Sequence, residues 1–112
     1  MEIWQELEIK TQELDVSVRN LRKAGTDYAN AYRKYRILVA QELLRLKNEG
    51  MPVTIAYDIA RGNEEVANAK FEELKYEAIY KANQESINSI KLQIKVLQEQ
   101  QKQEWGIAGK EW

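Results

Sequence analysis

Pro52 is the single proline of the 112-residue chain, and it falls near the midpoint between two long runs with helical spacing. Proline inside a helix removes a hydrogen bond and clashes with the preceding turn, so this residue divides the chain into two arms. The stretch around it, Asn48 to Asn63 (NEGMPVTIAYDIARGN), also holds two of the five glycines. Gly50, after Leu46, Lys47 and Asn48, reads as a helix stop in the left-handed conformation. Thr54 is expected to cap a short helix, Ile55 to Arg61, with Ile55 and Ile59 sharing one side. Gly62 ends that helix, and Asn63 caps the second arm with Glu64 and Glu65 near its positive dipole end. One helix from Thr54 that tolerates the Gly-Asn pair is the alternative. Either way the chain reverses between about residues 49 and 63.

The first arm keeps a heptad register from Trp4 to Val39. One core set is Trp4, Thr11, Val18, Gly25, Tyr32 and Val39, and the other is Leu7, Leu14, Leu21, Tyr28 and Tyr35. Alternating steps of three and four put both sets on one stripe. Near Glu42 the stripe shifts to Leu43 and Leu46, where supercoiling stops. Gly25 admits a close neighbour at some cost in helix propensity. In the second arm Val66, Ala67, Phe71, Leu74, Ala78 and Ala82 read as the inward stripe. Ile87, Ile90, Ile94 and Leu97 follow it, shifted around the helix. These patterns predict an all-α antiparallel two-helix hairpin. Its coiled-coil-like arms run over about 3–48 and 64–105, with a short helix in the bend, as one domain with residues 106–112 frayed.

Charge supports the antiparallel pairing. Residues 1–15 carry five acids and one base, and residues 16–48 carry eight bases and two acids. Residues 49–77 carry seven acids and three bases, and residues 78–112 carry five bases and four acids. Folding near residue 55 sets basic blocks against acidic ones, the acidic start facing Lys91, Lys95 and Lys102. Exposed pairs are worth at most ~1 kcal/mol, so they choose register more than they stabilise.

Composition narrows the chemistry. The chain has no histidine and no cysteine, which removes the commonest general base, disulfides and the usual zinc ligands. Net charge is −1, so no global basic field recruits nucleic acid. The start, MEIWQELEIK, is acidic and amphipathic, unlike a secretory leader, and no run of ~18 apolar residues suggests a membrane span. Adjacent pairs such as Glu64/Glu65 and Glu72/Glu73 point to different helix faces. Glu73 and Glu77 share one but lack a third ligand, and RGNE lacks the glycines and lysine of a phosphate loop. No enzyme activity, cofactor or metal is expected, and a cytoplasmic location is.

Three groups remain as candidate sites. YANAYRKYR, Tyr28 to Arg36, interleaves rings with Arg33, Lys34 and Arg36, as nucleic-acid proteins do. Its tyrosines are also the expected seam, and acids of the second arm can neutralise its bases. Arg19, Arg22 and Lys23 lie opposite Lys91, so they are the less compensated basic patch and suit a phosphate or an acidic partner. Ile3, Ile9, Val16 and Ile37 with Tyr76 and Ile79 form a second apolar stripe off the seam, which argues for a homodimer or larger bundle. Trp4 and Trp105 are expected to close the open end, with Ile107 beside them; the role of Trp112 is open.

The block MPVTIAYDIARGNEEVANAKFEELKYEAIYKANQESINSIKLQIKVL resembles small helical proteins of bacteriophages and prophages of Gram-positive bacteria, found among early recombination and replication genes. The shared pattern is a proline turn, a short DIARG-like element and a long charged helix, covering roughly residues 30–105. The resemblance implies a cytoplasmic protein of an infected bacterium that acts by binding, and adds no site residues. The resulting expectation is a non-enzymatic protein-interaction module that binds itself and another protein, such as a replication, recombination or defence factor. The alternative is a nucleic-acid-binding accessory using Arg19, Arg22, Lys23, Arg33, Lys34 and Arg36.

Overall fold

The computed structural model describes the backbone of residues 1–110 and the side chains of residues 1–106. The chain is an all-α hairpin with α1 at Ile3–Asn48, α2 at Val53–Arg61 and α3 at Glu64–Lys110. Helix α1 passes through Gly25 without a break. Helix α3 continues past Trp105 to Lys110 where fraying was expected; Trp112 and the Ile107 side chain lie outside the described residues.

The bend is built by local hydrogen bonds. Gly50 adopts φ 85°, a conformation that glycine reaches without steric cost. The Met51 amide then donates to the Leu46 carbonyl and the Gly50 amide to Lys47, both at 3.0 Å, closing the last turn of α1. Met51 packs on the same apolar cluster as Leu46. Thr54 does not cap α2. The helix starts earlier because Pro52, at φ −59° and ψ 136°, turns its own carbonyl toward the Ile55 and Ala56 amides. Asn63 does cap α3: its Oδ1 accepts from the Glu65 amide at 3.0 Å and the Val66 amide at 3.2 Å.

Two packed units arise, one from residues 23–80 and one from residues 1–22 with 81–112. The first holds the bend. Its core is Tyr35, Val39, Leu46, Ala56, Ala60, Val66 and Ala69, with Leu38, Leu43 and Met51 against it. The predicted shift to Leu43 and Leu46 is therefore present. Helix α2 buries its small side, Ala56 and Ala60, and turns Ile55 and Ile59 outward.

The seam runs along a different line from the one the heptads suggest. On α1 the set Leu7, Leu14, Leu21, Tyr28 and Tyr35 is inward or half-buried, as expected. Its companion is Ile3, Lys10, Ser17, Ala24, Ala31 and Leu38, one position before the expected set. Of the expected set Val39 is buried in the core and Val18 and Gly25 are half-buried, while Trp4, Thr11 and Tyr32 are exposed. Thr11 satisfies its hydroxyl on its own helix, donating to the Leu7 carbonyl at 2.8 Å. The reason lies in side-chain size. The small Ala24 and Ala31 are buried on the covered line, and beside them the missing side chain of Gly25 leaves room for Tyr80, whose ring a Cβ there would meet at 3.3 Å.

On α3 the covered positions are Val66, Ala69, Glu73, Tyr76 and Tyr80 in the bend unit, then Asn83, Ile87, Ile90, Ile94 and Leu97 in the other. The steps alternate between three and four throughout, a single heptad stripe with no shift. Ala67, Phe71, Leu74, Ala78 and Ala82, expected inside, are all exposed. Polar and aromatic side chains occupy the seam in their place.

Candidate partner-binding surfaces

Within the bend unit the seam carries two polar clusters. Tyr28 donates its hydroxyl to Glu77 at 3.3 Å, and its ring lies 6.0 Å from that of Tyr80. Nearer the bend, Glu73 is 5 % exposed and accepts from Lys70 at 3.1 Å. The Lys70 ammonium also sits 4.8 Å from the Tyr35 ring centroid. The hydrogen bond that Tyr35 donates to Tyr57, followed by burial, pushes the Tyr35 hydroxyl above its ordinary range, and the Glu73 carboxylate holds Lys70 above its own.

The expected basic residues all lie exposed on α1. Lys23 pairs with Asp27 at 3.1 Å, one turn along its own helix. Arg19 and Arg22 are exposed, and with Lys23 they stand at i, i+3 and i+4 on the continuous helix α1. Arg33, Lys34 and Arg36 are exposed, and Arg36 lies over the Tyr32 ring at 5.9 Å. Lys34 and Tyr76 do come together, on a shallow groove of about 300 Å³ lined also by Asp27, Asn30 and Glu72. Lys10–Glu13, Arg45–Glu42, Arg61–Asp58, Lys70–Glu73 and Lys75–Glu72 are each three residues apart on one helix. Charge along the arms is thus satisfied locally in these pairs. Among the described residues no three His, Cys, Asp or Glu side chains gather as metal ligands would, and no helix is long and apolar enough to cross a membrane.

Apolar exposure is where the surface departs from an ordinary one. Tyr76 belongs to the seam, so the second stripe loses it; Ile3 is half-buried, while Ile9, Val16, Ile37 and Ile79 are exposed. Trp4 and Trp105 do not close an end, being 57 % and 72 % exposed, because both lie beside the seam and not on it. In the unit that holds both termini, Met1 and Ile9 of the first segment and Leu92, Val96 and Leu97 of α3 line an open groove of about 730 Å³. In the bend unit, Phe71 and Leu74 stand 64 % and 53 % exposed on the back of α3. Reading the sequence forward from Val66 missed this pair. Counting sevens backward from Ile87 leads to Tyr80, Glu73 and Val66, and leaves Phe71 and Leu74 outside.

Comparison of the chain with protein-family models, with curated proteins and with solved structures returns no match.

Proposed function

We propose that the chain is a non-enzymatic protein-interaction module whose contact surface is the outer, apolar face of α3. One observation carries the reading: α3 buries Glu73 in its seam while Phe71 and Leu74 face outward. Val66, Ala69, Ile87 and Ile90 hold this line in the seam and Lys70 pairs Glu73, yet leaving two large apolar side chains exposed forgoes about 1.5–3 kcal/mol each. A partner that covers Phe71 and Leu74 recovers the apolar term. Following the resemblance of roughly residues 30–105, the partner is to be sought among replication, recombination or defence proteins of a bacterial cell.

A second reading, nucleic-acid binding, is favoured by the exposed Tyr32 ring under Arg36, beside Arg33 and Lys34. The two separate in one experiment, with a photo-crosslinking residue placed at Leu74 or at Tyr32 and single-stranded DNA added at low and moderate salt. The protein-module reading expects crosslinks to protein from Leu74 that persist as salt rises. The nucleic-acid reading expects crosslinks to DNA from Tyr32, with affinity falling ~10³-fold or more between about 50 and 200 mM salt for six to ten phosphate contacts. Absence of protein crosslinks from Leu74 sinks the first reading.

A further inference from the structure

The exposed stripe on the back of α3 has an order of its own. Glu64, Ala67, Phe71, Leu74, Ala78 and Lys81 follow one another at steps of three, four, three, four and three, and all six are exposed. These steps keep the residues on one helix face. They are also symmetric about the midpoint between Glu72 and Glu73. Turned end for end, the stripe sets Phe71 against Leu74, Ala67 against Ala78 and Glu64 against Lys81. The apolar positions lie inside and opposite charges lie at the two ends.

We propose that this stripe is a self-recognition surface that takes a second copy of the chain in antiparallel, two-fold register. The proposal rests on the interaction-module reading and names its partner. An isologous contact requires a patch complementary to its own reverse, which this order supplies. Phe71 fills the space beside Leu74 of the second copy, and the symmetry repeats that contact twice. The alanines on either side let the backbones approach to the roughly 8–10 Å of close helix packing. Glu64 meets Lys81 at both ends, and a parallel pairing would instead place Glu64 on Glu64 and Lys81 on Lys81. Register and direction are thereby set by charge and affinity by the apolar centre.

The test is sedimentation equilibrium of the full chain and its variants, with helicity checked by circular dichroism. The parent is expected to be dimeric at micromolar concentration. Phe71→Glu, at an exposed position, should keep its helix content and raise the dimer Kd more than about tenfold. Glu64→Lys alone and Lys81→Glu alone each create two like-charge contacts and should weaken the dimer by up to about tenfold. The double variant Glu64→Lys/Lys81→Glu restores opposite charges and should return to within about threefold of the parent. A monomeric parent, an unaffected Phe71→Glu, or a double variant no tighter than the singles overturns the proposal. If the parent is monomeric while Leu74 still crosslinks to another protein, the module reading stands and the second copy is excluded as its occupant; with both lost, the reading falls too.

Discussion

Val66→Asp is expected to unfold the bend, lowering stability by about 3 kcal/mol or more. Val66 is 2 % exposed and belongs to the cluster formed with Leu46, Ala56 and Ala60. Two opposed effects meet at this position. It is the third residue of α3, and its amide is already held by the Asn63 cap, so an acid there gains about 0.3–1 kcal/mol from the helix dipole. Against this stands an unpaired carboxylate in an apolar cluster, whose desolvation is several times larger. Val66→Ala isolates the packing part and should cost about 1–2 kcal/mol. Chemical denaturation followed by circular dichroism checks both. If Val66→Asp melts with the parent, the cluster at the bend is not what holds the arms there.

How far the structure could be read from the residues depended on whether local chemistry or packing decided each feature. Gly50, Pro52 and Asn63 act through local backbone preference or a local side-chain cap, so the bend, the end of α1 and the start of α3 were legible. Thr54 was misleading because Pro52 presents its carbonyl to the next turn without a side-chain cap. The seam was harder, since a heptad of mixed Ala, Tyr and Leu leaves two adjacent lines of nearly equal apolar character. The choice fell to volume: the small Ala24 and Ala31 are buried on the covered line, whereas the large Trp4 and Tyr32 on the neighbouring line stay outside. On α3 hydrophobicity pointed the wrong way, as Phe71 and Leu74 outrank Glu73 and Tyr76 on any apolar scale. Only continuity with Ile87 and Ile90 identifies the covered line. The basic residues were legible as charges, whereas pairing such as Lys23 with Asp27 was not, because it depends on which rotamers the helix allows.

Glu73→Leu is expected to stabilise the fold and Lys70→Met to destabilise it, although the two residues share one ion pair. Removing Lys70 leaves a carboxylate with a 6 % exposed side chain and no cation, the arrangement that makes broken buried pairs costly. The Lys70 side chain is 44 % exposed, and water screens part of the pair, so a loss of about 2 kcal/mol is expected, below the fully buried case. Removing Glu73 leaves no such orphan, because Lys70 can turn to solvent; a leucine in the seam then adds about 1–2 kcal/mol of apolar burial. Alkali gives an independent reading. The folded state favours protonated Lys70 and protonated Tyr35, both raised above their ordinary values. Their contributions are complete below the unfolded-state values near ~10 and are lost as pH rises through the folded ones. The parent should therefore lose stability in alkali, and Glu73→Leu should lose less, because the largest cause of the Lys70 shift goes with the carboxylate. Denaturation midpoints of both variants and the parent, at neutral and alkaline pH, decide the matter. If Glu73→Leu unfolds more easily than Lys70→Met, the carboxylate itself holds the seam. The outward placement of Phe71 and Leu74 would then follow from packing, with no partner needed to explain it.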